Sequence, residues 1–147
     1  MTTKRISMVA VMALVLVMAA VSPSLATAQS KQSEGKFTLP CTTYWGTSVL
    51  PAGTYTYAIT RVDKNVDLVE VRGGKSFKVL AISDPDYDNK ENALEIRRSG
   101  GSAVVTNMHL AANGIRINFR VAPQAKELLA SASEGQPQVE KIAVTVD

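Results

Sequence analysis

The sequence predicts an all-β fold, a small antiparallel β-barrel or sandwich of about eight strands that follow one another mostly as a meander. Residues 115–121 alternate apolar and polar side chains without a break, which is typical of a strand with one buried face. Turn-forming dipeptides such as Gly73-Gly74 and Asn113-Gly114 separate segments of this kind at short intervals. Short strands with regular turns between them are typical of small barrels and sandwiches.

The segment 49–59 contains the clearest turn followed by a strand. Pro51 and Gly53 favour a turn, and a positive φ is expected at Gly53. The strand that follows places Tyr55, Tyr57 and Ile59 on one face, because successive strand residues point to opposite sides. We expect this face to line the core.

The next two hairpins have registers that follow from matching apolar faces. A one-residue slip would turn every apolar side chain outward, so three-residue loops at 63–65 and 73–75 are favoured. The predicted pairs are Ile59 with Val69, Tyr57 with Val71, Arg61 with Asp67, Val71 with Phe77, Val69 with Val79, and Glu70 with Lys78.

Two later hairpins are predicted in the same way. A three-residue loop at 99–101 places Ile96 opposite Val104. Asn113-Gly114 favours a two-residue type I′ turn, which places Leu110 opposite Ile117 and Met108 opposite Phe119.

One short helix is predicted near 123–131, because Pro123 is favourable at a helix start. Residues 79–82 are apolar on both faces. The preceding strand is apolar on both faces too, with residues 66 and 68 on one face and 69 and 71 on the other. This part of the sheet is therefore expected to be covered on both sides, with the helix as the covering element. Residues 132–138 are predicted to be a linker before the last strand, 139–146.

The first 28 residues have the pattern of a secretory signal peptide. Lys4 and Arg5 precede an apolar run over 8–21, and Ala26-Thr27-Ala28 predicts cleavage between Ala28 and Gln29. The apolar run is shorter than the roughly 20 residues of a spanning helix, so we expect no transmembrane helix in the mature chain. Export to the periplasm or the extracellular space, a flexible leader over 29–36 and a single β domain over 37–147 are the resulting expectations.

The charge and the single cysteine narrow the classes of function. Removal of Lys4 and Arg5 with the signal peptide leaves 14 of the 16 basic residues, which nearly balance the 13 acidic ones. The net charge of the mature chain is therefore close to zero, and nucleic acid is not an expected partner. Cys41 is the only cysteine, which leaves no internal disulfide. Burial as a small apolar side chain is the favoured interpretation of Cys41, and an intermolecular disulfide or a reactive thiol are the alternatives.

Two short motifs carry a resemblance to a known group. Phe37-Thr38-Leu39-Pro40 is followed by Leu50-Pro51-Ala52-Gly53-Thr54-Tyr55. The chain resembles small exported proteins of acidobacterial type, which carry a signal peptide, an F-x-L-P strand and an L-P-A-G-x-Y turn before a β-meander and form a domain of unknown function. The resemblance implies export and a β fold, and it implies no catalytic residues.

The acidic segment 84–88 is the one motif-like cluster. Asp84, Asp86 and Asp88 have the spacing of the first ligands of a calcium loop, and Glu95 falls at the twelfth position. Asn89 stands where such loops need glycine, and no helices flank the segment. The alternatives are a weak calcium site and a solvated loop without a cofactor, and the second is favoured.

Catalytic signatures are scarce in the sequence. No G-x-S-x-G motif occurs, and a lone histidine, His109, does not make a histidine metal site. The outward face of the 107–120 hairpin is a second candidate site, a flat, basic, hydrogen-bonding surface that would bind an anionic envelope polymer or a protein. Its residues are Asn107, His109, Arg116, Asn118 and Arg120, with Arg97 beside them.

Three classes of function remain open. The leading one is a non-enzymatic exported β-module that binds an envelope component, a glycan or a protein partner. A small-ligand carrier barrel is the second, and the large inward side chains expected of this chain favour a filled core instead. A hydrolase that uses the loop carboxylates is the third.

Overall fold

The computed structural model describes residues 31–131 and 138–147. The predicted signal peptide, 1–28, and most of the predicted linker lie outside the described residues. The described elements are β1 (Lys31–Leu39), β2 (Thr42–Trp45), β3 (Ser48–Leu50), β4 (Gly53–Asp63), β5 (Val66–Arg72), β6 (Phe77–Pro85), β7 (Ala93–Ser99), β8 (Ser102–Leu110), β9 (Ile115–Asn118), α1 (Pro123–Ser131) and β10 (Gln138–Val146).

Eight of these strands close into an antiparallel barrel. Around the barrel the order is β8, β7, β10, β1, β4, β5, β6 and β9, and β9 pairs back to β8. All eight of these pairings are antiparallel. The predicted all-β fold of about eight strands with one short helix is confirmed, and the alternative between barrel and sandwich is decided for the barrel.

The predicted flexible leader is wrong from residue 31 onward. β1 begins at Lys31 and lies between β4 and β10, where Lys36 pairs with Thr56 on one side and with Thr145 on the other. Ser33, Gly35, Phe37 and Leu39 alternate with more exposed residues, so the polar segment 31–36 forms the first six of the nine residues of a strand that is paired on both sides. Its inward positions are small, which hid the strand from a search for apolar alternation.

Large side chains fill the interior of the barrel. Phe37 stacks on Tyr55 with ring centroids 5.8 Å apart, and Trp45 meets Phe119 edge to face at 4.8 Å. Tyr57 is buried, and its hydroxyl donates to the carbonyl of Thr145 at 3.1 Å. Tyr55, Tyr57 and Ile59 all join the core, as the alternation of segment 54–59 predicts.

The predicted pairs between β4, β5 and β6 are confirmed, but the loop after β4 has two residues, 64 and 65, where three were predicted, because the register shifts after Arg61 and Asp63 pairs with Val66. Ile59 pairs with Val69, and Val69 pairs in turn with Val79, so one row of β-branched residues crosses three strands. Gly53 has φ 154, in keeping with the positive value expected there. The predicted pairing of Arg61 with Asp67 is also confirmed.

The two later hairpins differ from their predicted registers. Ile96 pairs with Val105, because the loop has only two residues, Gly100 and Gly101, and the register shifts again at a bulge near Thr106. The β8–β9 register is displaced by two residues, so Leu110 pairs with Ile115 and Met108 with Ile117.

The displacement of the β8–β9 register has its origin in the turn between these two strands. Residues Ala111–Asn113 form a 3₁₀ turn that ends at Gly114 with φ 61, instead of a two-residue type I′ turn. No non-glycine residue in the described part of the chain has a positive φ, so Asn113 does not adopt the conformation that a type I′ turn needs. A displacement of two residues preserves the face of every side chain.

The β2–β3 hairpin takes the place of β9 in one half of the barrel wall. We call the end at Leu39 and Gly53 the upper end. β9 pairs with β6 only over Ile82–Pro85, and above it β2 lies parallel to β8 at residues 42–44. Trp45 enters the core from this hairpin and contacts Phe77.

The helix forms at the predicted position, but the expectation that it covers residues 79–82 is wrong. α1 packs against β7, and its Ala125 is buried. Leu80 and Ile82 are 60% and 59% exposed on the outer face of β6. Apolar residues on both faces of β6 therefore do not mark a strand covered on both sides.

Each end of the barrel carries an ion pair. At the lower end the carboxylate of Asp67 is fully buried and bonded to Arg61, which also donates to Gln32 at 2.9 Å. At the upper end Arg98 lies 3.4 Å from Glu140. Cys41 is a half-buried free thiol, and Nη2 of Arg98 lies 3.6 Å from its Sγ.

No helix in residues 31–131 or 138–147 has the length and apolar character to cross a membrane.

Candidate functional site

Four neighbouring strands, β6, β9, β8 and β7, present polar side chains on the outside of the barrel. The pairings align Ile82, Asn118, Asn107 and Glu95 in one cross-strand row. The next row aligns Asp84, Arg116, His109 and Ala93. With Asp86 from the loop after β6, we call the following residues the outer polar face: Asp84, Asp86, Glu95, Asn107, His109, Arg116 and Asn118.

His109 is the centre of the outer polar face. Its Nδ1 lies 2.7 Å from Oδ2 of Asp86, and its Nε2 lies 3.4 Å from Oε2 of Glu95. The imidazole is only 10% exposed, and the two carboxylates are 17% and 16% exposed. Each ring nitrogen therefore faces a carboxylate oxygen, to which it donates when it carries a proton.

The backbone places Asp86 and Glu95 against His109. The amide of Asp86 donates to the carbonyl of Gly114 at 2.9 Å, which fixes the loop after β6 to the β8–β9 turn. Oε1 of Glu95 accepts from Nδ2 of Asn107 and from Oγ1 of Thr106, both at 3.1 Å. Thr106 lies at the bulge of β8, and the bulge brings its hydroxyl within reach of Glu95.

Asp84, Asn118 and Arg116 form the other half of this face. Nδ2 of Asn118 donates to Oδ2 of Asp84 at 2.6 Å. Arg116 is directly opposite Asp84, and its Nε is buried without a hydrogen-bond partner among the described residues. A buried donor without a partner is costly, so this part of the face has hydrogen-bonding capacity that the described chain leaves unused.

The contacts of His109 lower the pKa of both neighbouring carboxyl groups. The hydrogen bond from His109 is the main cause at Asp86, and it outweighs the opposite effect of partial burial. Burial pushes the pKa of Glu95 upward, but hydrogen bonds from His109, Asn107 and Thr106 together bring it below its usual range. Both groups are therefore held as carboxylates.

The structure brings together most of the residues that the sequence singled out. All four of Asn107, His109, Arg116 and Asn118 point outward. Because the β8–β9 register is displaced by two residues, Asn107 pairs with Asn118 and His109 pairs with Arg116. Arg120 is exposed beyond the end of β9. The predicted basic surface is wrong, because three carboxylates lie among these residues.

The candidate calcium ligands are divided between different partners. Asp84 is bonded to Asn118, Asp86 is bonded to His109, and Asp88 is exposed. Within residues 31–131 and 138–147, no group of three or more His, Cys, Asp or Glu side chains is arranged to hold a metal ion.

Sequence reasoning missed two residues of this site. The sequence places Glu95 among the candidate calcium ligands and hydrolase carboxylates but not on the outward face, although it lies two residues before the outward Arg97 and so faces outward too. Tyr87 is 84% exposed, and its ring lies so close to Gly114 that a Cβ there would meet it at 3.2 Å. An exposed aromatic ring within the acidic segment was a signal that could have identified it.

Comparisons of the chain with protein-family models, with curated proteins and with solved structures find no significant match.

Proposed function

We propose that the protein is an exported, non-enzymatic β-barrel module that binds a polysaccharide of the cell envelope on its outer polar face. The observation that carries the proposal is the fixed array of hydrogen-bonding groups from four strands beside the exposed ring of Tyr87. Their positions are set by a rigid barrel and by contacts with one another. A site that is already ordered before binding loses little entropy when a ligand binds.

The mixture of groups favours hydroxyl-rich ligands over anionic ones. Asp84 offers acceptor oxygens, Asn118 offers both a donor and an acceptor, and Arg116 offers several donors. A sugar hydroxyl is itself both donor and acceptor, so it matches such a mixture, whereas an anion would be repelled by three carboxylates. The flat, exposed ring of Tyr87 supplies an apolar surface for the ring of a sugar.

The surroundings of His109 favour binding over catalysis. Both of its nitrogens are occupied by Asp86 and Glu95, which leaves neither free to act as a general base on a substrate. The aromatic rings that fill the barrel favour a surface site over the alternative of a carrier with an internal ligand.

Export is the second part of the proposal, and the signal-peptide pattern and the resemblance to exported proteins support it. Mass spectrometry of the protein from the envelope or medium should show a chain that begins at Gln29. A secreted chain that still carries Met1 would contradict this part, and the binding part is tested separately.

The binding part is tested by co-sedimentation of the purified protein with envelope polysaccharide, including peptidoglycan sacculi. Tyr87→Ala should weaken binding by about tenfold, which corresponds to about 1.4 kcal/mol. Because Tyr87 is exposed, the same change should alter stability by no more than about 0.5 kcal/mol.

Three further variants make the result specific to this face. Tyr87→Phe keeps the ring and should bind like the wild type, whereas Arg120→Ala tests the exposed donor beyond β9. Lys36→Ala changes an exposed cation on β1, on the opposite side of the barrel, and should have no effect. Equal binding by the wild type and Tyr87→Ala to every polysaccharide preparation would overturn the proposed site.

A further inference from the structure

The barrel wall is open between β3 and the upper half of β6. β3 pairs only with β2, and β6 pairs with β9 only from Ile82 onward. Within residues 31–131 and 138–147, no strand pairs with residues 77–81 on that edge of β6. Two unpaired strand edges therefore face each other at the upper end.

The direction of the free main-chain groups on β6 follows from two hydrogen bonds. In an antiparallel strand each residue directs its N–H and C=O to the same side, and neighbouring residues alternate. The amide of Ser83 donates to Asn65 on the β5 side, and the amide of Asp86 donates to Gly114 on the β9 side. The N–H and C=O groups of even-numbered residues in β6 therefore point to the β9 side of the strand. Above the end of β9, those of Lys78 and Leu80 point to the open edge.

The edge of β3 is oriented in the same way. The two-residue turn Gly46-Thr47 makes Trp45 and Ser48 the pair that closes the β2–β3 hairpin with main-chain hydrogen bonds. The next pair, Tyr44 with Val49, then does not exchange hydrogen bonds. The N–H and C=O of Val49 point away from β2, toward β6.

A groove adjoins the upper end of these edges, between residues 47–50 on one side and residues 75–77 on the other. Its volume is about 300 Å³, at the lower end of the range for ligand pockets, which is about 300–1,000 Å³. Val49 and Phe77 contribute apolar surface, and Lys75 is the one charged residue that lines it in the described part of the chain. The side chain of Val49 is 42% exposed.

We propose that the open edge of β6 at Lys78 and Leu80, together with the adjoining groove, is a binding site for an extended peptide segment of another protein, which adds to this edge as a strand and places an acidic residue near Lys75. Alternating main-chain donors and acceptors are the complement of an extended backbone, and no other common ligand repeats that pattern. The apolar groove accepts every second side chain of the peptide. The site is separate from the outer polar face, so each proposal stands or fails by itself.

The test uses an eight-residue synthetic peptide of alternating threonine and valine that ends in aspartate, with binding to the purified protein followed by fluorescence anisotropy. Leu80→Pro removes the N–H that faces the open edge and leaves the bonds to β5 intact, so the fold should persist. We expect Leu80→Pro to weaken binding at least tenfold. Leu80→Thr keeps the N–H and should bind like the wild type.

A second arm leaves the protein unchanged. The same peptide, N-methylated at alternate residues, loses half of its N–H donors and should bind at least tenfold more weakly to the wild type. This arm decides the question even if circular dichroism shows that Leu80→Pro is unfolded.

Three outcomes would overturn the proposal. One is the absence of peptide binding to the wild type, and another is equal binding of the methylated and unmethylated peptides. The third is self-association of the wild type, seen by analytical ultracentrifugation and lost in Leu80→Pro, which would assign the edge to a second copy of the chain.

Discussion

Replacing His109 with alanine tests the electrostatic centre of the outer polar face. The change removes the 2.7 Å contact to Asp86 and the 3.4 Å contact to Glu95. Hydrogen bonds to charged groups contribute about 1.5–3 kcal/mol each, but the second contact is long and water reaches both carboxylates in part. We therefore expect His109→Ala to lower the free energy of unfolding by about 1–3 kcal/mol at pH 7.

Urea unfolding followed by the fluorescence of Trp45 measures this change. Trp45 is the only tryptophan and is fully buried, so its emission reports loss of the core. The dependence of the free energy on urea should be unchanged, because the surface exposed on unfolding stays nearly the same. Asn107→Ala, which removes one donor to Glu95 and leaves His109 in place, is the matched comparison and should cost less.

The pH dependence has a defined sign. The folded-state pKa values of Asp86 and Glu95 are lowered, so their stabilisation is complete above the unfolded values of about 3.9 and 4.3. It is lost as the pH falls through the lowered folded values. The difference between the wild type and His109→Ala should therefore shrink below about pH 4. A difference under about 0.5 kcal/mol at pH 7, or one that is constant down to pH 3, would refute this account.

Three further changes test the core and the turns by the same unfolding assay. Tyr57→Ala should cost on the order of 3 kcal/mol, because the ring is buried and its hydroxyl donates to Thr145; a cost below about 1 kcal/mol would contradict this. Arg61→Ala should cost about 3–5 kcal/mol by leaving the carboxylate of Asp67 buried without a counter-charge, and an unchanged midpoint would count against it. Gly53→Val should cost more than about 1 kcal/mol, because a β-branched residue resists φ 154, and equal melting temperatures would argue otherwise.

The local hairpins of β4, β5 and β6 were predictable from the sequence. Each loop is short, and the apolar faces of the strands match in only one register, so Ile59, Val69 and Val79 align as predicted. The strand periodicity of 2 also placed His109 and Arg116 on the outside. The predicted β8–β9 register was wrong by two residues, but both side chains still lie on the predicted face, because a displacement of two residues does not exchange the faces.

Only the tertiary structure decided how the barrel closes. β1 pairs with β10 across more than a hundred residues of sequence, and its inward Ser33 and Gly35 give no apolar signal. The meeting of Asp86, Glu95 and His109 depends on closure as well, because it needs a loop folded onto a turn and a bulge at Thr106. Local turn chemistry and side-chain alternation determine which neighbouring strands pair and which face is buried. Contacts between distant strands arise from the packing of the whole core, which no short segment of the sequence encodes.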